Sequence, residues 1–293
     1  LISAIGLYWL LRQMDGSRGA SLLGALAWSL GGFTIAHQGH LAILAATAWF
    51  PWMLALTYRL LWRDEAARRQ GWLAVALALL VALELTAGHA QMALLTLMPV
   101  GAFAALGLWR KRQQPDVWRL GLGWLAGVLL GCVLAWPQLA PSIELALLSQ
   151  RAGGLDATLF ASFSFHPALL ATFISPFLLG NPYPGGTVET MGYLGLLPLL
   201  LAGVALRRVR RPEARFFAAL ILVAMLLALG RWNPLYRYLR LVPILNLFRV
   251  PSRYLAWVSL GLATLAALGT DSLWAWAQQG RRAGRWRAAP IGL

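Results

Sequence analysis

The sequence predicts an all-α, polytopic membrane protein, on three observations. Hydrophobic residues make up 59% of the 293 and charged residues 12%, with a mean hydropathy of +0.65. A water-soluble body of that size needs more polar surface than this composition supplies. Apolar stretches approaching the roughly 20 residues that cross about 30 Å of hydrocarbon recur along the chain, and short arginine-bearing connections separate them. The formal charge of +15 is not that of a nucleic-acid surface, because the arginines lie between apolar runs and form no continuous stripe with interleaved aromatics. They are topology signals, and the partner they indicate is the lipid bilayer. Cys132 is the one cysteine and sits in an apolar run, so no disulfide forms within the chain.

Nine helical segments follow in order. The first, 1–11, opens inside an apolar run at Leu1, so the sequence is expected to be a piece of a longer protein, with a first helix and first outer loop upstream. Segment 20–36 comes next, then 41–62, which Pro51 is expected to kink in mid-run by removing a helix hydrogen bond. Segments 72–87 and 92–109 follow, the former carrying Glu84. In 120–140, Gly123, Gly127 and Gly131 recur every fourth residue and predict close helix approach, and Pro137 and Pro141 break its end. Segments 193–206, 216–230 and 254–276 complete the bundle.

Placing Arg12 and Arg18 in the cytoplasm puts Arg59, Arg63, Arg68 and Arg69, then Arg110, Lys111, Arg112 and Arg119, on the same side by alternation. The stretch 167–179 is apolar but too short to cross, and counting it as a span moves Arg207, Arg208, Arg210, Arg211 and Arg215 outside. It is therefore assigned as re-entrant or interfacial. All but six of the 25 Lys and Arg residues then face the cytoplasm. The chain divides into one transmembrane domain, 1–293, with outer loops at 141–192, an arginine-rich outer loop at 231–253 and a basic cytoplasmic tail at 277–293.

The exceptions gather on the outer side: Arg151, Arg231, Arg237, Arg240, Arg249 and Arg253, joined by His37, His40, His89, Gln91, His166, Glu144, Asp156 and Glu189. Long loops rich in turn formers, with Asn181 to Gly186 among them, are where a rigid scaffold carries binding residues. Arg249 and Arg253 flank Pro251, and guanidinium forks bind phosphate oxygens bidentately, so they are the candidate phosphate ligands, with Arg231 and Arg151 beside them. Glu84 lies about 18 Å from the inner end of its helix at 1.5 Å per residue. A carboxyl there costs about 2.5–3.5 kcal/mol unless it meets a cavity or partner, which leaves a functional role and a hydrogen bond to a neighbouring helix both open. His37 and His40 have no cysteine or carboxylate nearby in sequence to complete a metal set, and no metal site is assigned. Gly16-Ser-Arg-Gly19 lacks the lysine of a phosphate loop, and nothing indicates a nucleotide site.

The motifs Ala87-Gly-His-Ala-Gln91, Trp136-Pro-Gln-Leu-Ala-Pro-Ser-Ile-Glu144, Ser149-Gln-Arg151, Ser164-Phe-His-Pro167 and Phe248-Arg-Val-Pro-Ser-Arg253, in that order, resemble the bacterial YfhO-like membrane proteins over nearly the whole chain. The resemblance implies a bundle and activity of the GT-C glycosyltransferase class. Such an enzyme takes a sugar from a polyprenyl-phosphate carrier to a glycan or protein acceptor on the outer face of the bacterial cytoplasmic membrane. The catalytic acid of that class usually lies in the first outer loop, here expected upstream of Leu1, which leaves Glu84, His89 and Glu144 as supporting candidates. Some relatives use a divalent metal, for which the sequence shows no ligand set. Two other functions stay open: a transporter or flippase of lipid-linked saccharides, which predicts internal repeats and broken helices that the sequence does not show, and a noncatalytic membrane subunit.

Overall fold

A computed structural model of the chain describes residues 1–150, 152–180 and 188–287, and among these all regular structure is helical. In chain order the α-helices are α1 Ile2–Gln13, α2 Arg18–Ser29, α3 Gly32–Ala36, α4 Leu41–Thr47, α5 Phe50–Leu61, α6 Ala67–Leu85, α7 Ala90–Arg110, α8 Val117–Leu134, α9 Trp136–Leu148, α10 Ala157–Phe160, α11 Leu196–Arg208, α12 Pro212–Ala228 and α13 Leu255–Arg287. Between α12 and α13 the chain advances through short 3₁₀ turns, including Tyr236–Leu241 and Pro251–Tyr254.

Five segments are long and apolar enough to cross a membrane: Arg18–Gly39, Leu41–Leu61, Ala90–Arg110, Val117–Leu134 and Pro251–Gln279. That supports a helical membrane protein but falls short of nine spans. The remaining apolar runs lose length where turn residues end the helix. α11 begins only at Leu196, after Gly195, whose φ of 99° is not helical, and α6 carries Arg68, Arg69 and Glu84 among its 19 residues.

Two expected continuous runs are broken. The chain leaves helix at Leu30 and Gly31 between α2 and α3, where no proline requires it. Ala48 and Trp49 separate α4 from α5, so Pro51 sits in the first turn of a new helix, where its missing N–H costs nothing, instead of kinking an old one. The expectation of unbroken helices is corrected at both places. The break after α8 falls at Ala135, just ahead of Pro137, and α9 beyond it has no buried residue.

α13 is the axis of the fold. From Tyr254 to Leu268 nearly every side chain is buried, on all sides of the helix, because α11, α12, α1 and α2 surround it. Phe103 of α7 links this group to the end of α5, with its ring 4.5 Å from that of Trp62 and 4.8 Å from that of Phe216 in α12. α6 and α8 lie close because the latter presents glycine: a Cβ on Gly127 meets the Ala74 carbonyl oxygen at 2.8 Å, and one on Gly131 meets that of Ala78 at 2.7 Å. The third glycine of the series, Gly123, faces open space.

The bundle has two unlike ends. α2 starts, α7 ends and the buried half of α13 ends among Arg18, Arg63, Lys111 and Asp271, which we call the basic end. α3, the start of α7 and the start of α13 meet at the opposite end around His37, Gln91 and Arg253. The stretch 167–179 forms a 3₁₀ turn, Pro167–Phe173, and leaves Leu170, Ile174, Phe177, Leu178 and Leu179 more than half exposed.

The glycine contacts predict an asymmetric result. Gly131→Leu forces α6 and α8 apart and costs about 1–3 kcal/mol, read as a lower unfolding temperature in detergent, whereas Gly123→Leu leaves it unchanged.

Candidate functional site

The end opposite the basic one is organised around a single side chain. Arg253 follows Val250, a buried β-branched residue held in the left-handed region at φ 68°. That conformation costs roughly 1–3 kcal/mol and persists only where surroundings enforce it. The Ser252 hydroxyl donates to the Phe163 carbonyl, itself at φ 57°, and Gln91 Nε2 donates to the carbonyl of Arg249. The turn so fixed points Arg253 into the protein.

There its Nε and Nη2 donate to Glu189 Oε2 and Oε1 at 3.1 and 2.7 Å, a two-pronged pairing with a carboxylate, and Nη1 donates to Gln91 Oε1 at 2.7 Å. Only 15% of the Arg253 side chain and 12% of the Glu189 side chain are exposed, so neither charge is left to water. Burial pushes the Glu189 carboxyl up, but hydrogen bonds from His37 and Arg253 and the charge of Arg253 outweigh it and hold it at about 2.

The two neighbouring histidines face opposite demands. Fully buried His37 has Nδ1 at 2.8 Å from the Phe33 carbonyl oxygen and Nε2 at 3.1 Å from Glu189 Oε2, so both nitrogens meet acceptors. His89 instead meets two donors. Its Nδ1 accepts from the Met92 N–H at 3.1 Å, capping α7, and its Nε2 lies 3.3 Å from Arg253 Nη1. Burial first, then the Arg253 charge, pushes His89 down to about 4, so the ring is neutral near pH 7 and has a single acceptor. With that acceptor used by Met92, Nε2 carries the proton and faces Arg253 Nη1, which donates instead to Gln91 Oε1.

At the same end of the bundle, with none of the network side chains on its wall, lies a cleft of about 580 Å³ lined by Arg231, Arg237, Arg240, Tyr236 and Tyr238 among others. Arg237 and Arg240 are three apart on a 3₁₀ turn, a spacing that puts side chains on one face. None of the three arginines has a carboxylate partner among the described residues. Arg231 donates to the Ala161 carbonyl at 3.4 Å, and Arg237 donates to the Tyr238 hydroxyl at 2.9 Å. The acids at this end are occupied or remote. Glu189 is engaged by Arg253, while Asp156 Oδ1 accepts from the N–H groups of Thr158 and Leu159 at 2.8 and 3.0 Å at the start of α10.

The residues expected from sequence thus separate. His37, His89, Gln91, Glu189 and Arg253 come together. Arg249 does not join Arg253 as a phosphate pair: its side chain is exposed, and only its carbonyl enters the network. Exposed His40 has its ring 5.7 Å from that of His37, and exposed His166 packs edge-on against Trp232 at 4.4 Å. Glu84 is buried and accepts from the Thr96 hydroxyl of α7, the neighbouring-helix hydrogen bond, with its other oxygen unpartnered among the described residues. Glu144 rides exposed on α9, away from this network, on a helix none of whose residues is buried. Arg151 and the run Asn181 to Gly186 lie outside the described residues. Among the described residues no three His, Cys, Asp or Glu side chains converge as ligands for a metal ion. No protein family, curated protein or solved structure matches the chain.

Folding depresses both His89 and Glu189, so each contribution to stability is present above the ordinary pKa and is lost as pH falls, for His89 from 6.5 to about 4 and for Glu189 from 4.5 to about 2. His89→Asn keeps an acceptor for the Met92 N–H and removes the titration. The unfolding temperature of the native protein is expected to drop between pH 6.5 and 4 more steeply than that of His89→Asn; equal slopes contradict the assignment.

Proposed function

We propose that this chain holds the lipid-phosphate donor of a membrane glycosyltransferase of the GT-C kind its motifs resemble, acting on the extracytoplasmic face of a bacterial cytoplasmic membrane. The observation that carries the proposal is the cleft of about 580 Å³ with three arginines that have no carboxylate partner among the described residues. Exposed Leu235 and Leu241 stand at the same turn, an apolar rim along which a polyprenyl chain lies while its phosphate enters. The positive-inside bias puts this end outside and the basic end in the cytoplasm. The nine-helix arrangement, with 167–179 at the interface, belongs to the same proposal.

The chemistry assigned to these residues is electrostatic. Arg231, Arg237 and Arg240 bind the phosphate oxygens and stabilise the charge that develops on the departing polyprenyl phosphate as the sugar leaves. His89 and Arg253, which lie off the cleft wall, position the neighbouring turn and are assigned no contact with the sugar or with the glycan or protein acceptor. Glu84 and Glu144 take no part in a step here.

One observation favours a second function. The breaks at Leu30 to Gly31 and Ala48 to Trp49 are of the kind that lines substrate paths in transporters, which suits a flippase of lipid-linked saccharides. A single experiment separates the two. In vesicles supplied with a polyprenyl-phosphate sugar, Arg237→Ala and Arg240→Ala should each lower sugar transfer about tenfold or more, the worth of a charged hydrogen bond. Loss of lipid movement without any transfer by the native protein supports the flippase, and unchanged transfer in both variants overturns the donor-site assignment.

A further inference from the structure

A second cavity, of about 500 Å³, opens at the basic end between the α1–α2 turn, the α11–α12 turn and the later part of α13. Arg12, Arg208, Arg210 and Arg211 line it, with Asp15 and Asp271. Among the described residues neither acid forms an ion pair with these arginines. Asp271 Oδ2 accepts from the Ser17 N–H at 2.9 Å, at the start of α2, and Asp15 pairs with Arg63 at 3.5 Å on another connection. The ion pairs of this end among the described residues belong to Arg59, Arg63, Arg69, Lys111 and Arg119, none of which lines the cavity.

Three of the four guanidinium groups are tethered. Arg12 donates to the Gly16 carbonyl, Arg211 Nη1 donates to the Met14 carbonyl at 3.0 Å, and Arg208 lies 5.0 Å over the ring of Trp276. An arginine that merely reaches for the membrane surface needs no such tether. Each tether uses few of the five N–H groups, so the rest remain for the cavity. Arg210 is exposed and makes no hydrogen bond or ion pair among the described residues.

We propose that this cavity binds a phosphate-bearing anion, either a phospholipid headgroup of the membrane leaflet at this end or a phosphorylated solute. Several guanidinium forks around one concave space, with two more positive than negative groups on its wall, can bind several phosphate oxygens at once, bidentately and with net charge in their favour. The site stands apart from the arginine cleft at the other end and does not depend on its function.

The test uses the full chain in nanodiscs, in a background carrying Arg237→Ala and Arg240→Ala so that the opposite cleft contributes nothing. Native mass spectrometry counts retained phosphatidylglycerol against phosphatidylcholine, and a titration measures binding of inorganic phosphate. Retention of phosphatidylglycerol that inorganic phosphate does not displace identifies a lipid headgroup; saturable binding of inorganic phosphate identifies a solute. In either case Arg210→Gln and Arg208→Gln are each expected to weaken binding about fivefold, the effect of one arginine at an anionic surface. Arg210→Gln removes no contact of the fold, so its unfolding temperature should match the parent. Absence of both ligands, or binding by both variants equal to the parent, overturns the proposal.

Discussion

The end of the bundle that carries the candidate site depends on the pairing of Arg253 with Glu189. A guanidinium that is 15% exposed cannot be left to a low-dielectric surrounding without a counter-charge, and removing one member of such a pair costs several kcal/mol because the other stays buried. Meeting that requirement draws together residues 64 positions apart, and His37 joins from 152 positions away. Gln91 completes the ring by bonding both the Arg253 side chain and the Arg249 carbonyl. The left-handed backbone at Val250 is the local cost of aiming Arg253 inward, and the hydrogen bonds of Ser252 and Gln91 on either side enforce it.

The same pairing leaves the cleft arginines open. With Glu189 held by Arg253, Asp156 turned to the start of α10, Glu84 sealed against Thr96 and Glu144 out on α9, no described carboxylate reaches Arg231, Arg237 or Arg240. At the basic end a comparable division holds. Asp64 and Glu65 satisfy Lys111, Arg59 and Arg69, while the arginines around the α1–α2 turn face their own cavity. Each end therefore has one set of cations that builds structure and another that is available to a ligand.

Much of the fold was legible in the sequence because it follows from solvent and period. Composition pointed to the helical membrane class, and the four-residue glycine spacing pointed to a close helix approach, which Gly127 and Gly131 make against α6 while Gly123 does not. Polar residues at helix ends could be grouped because alternation sends them to the same side. Pairing could not be read. Nothing in the separate sequences around Glu189 and Arg253 states that one carboxylate will neutralise that guanidinium, so Arg253 looked like a phosphate ligand equal to Arg249. The break at Leu30 carries no proline, and Gly32 there is fixed instead by a hydrogen bond to the Tyr193 carbonyl from a distant connection. Arg237 and Arg240 were visible as outer cations, but their common face needed the 3₁₀ turn, whose three-residue spacing was the available clue.

The most direct measurement is a double-mutant cycle on Glu189→Gln and Arg253→Gln, read as unfolding free energy in a defined detergent at pH 7. A pairing that organises this end of the bundle predicts a coupling of about 1.5–3 kcal/mol, with the double variant less damaged than the sum of the two singles. Additivity within about 0.5 kcal/mol would contradict it.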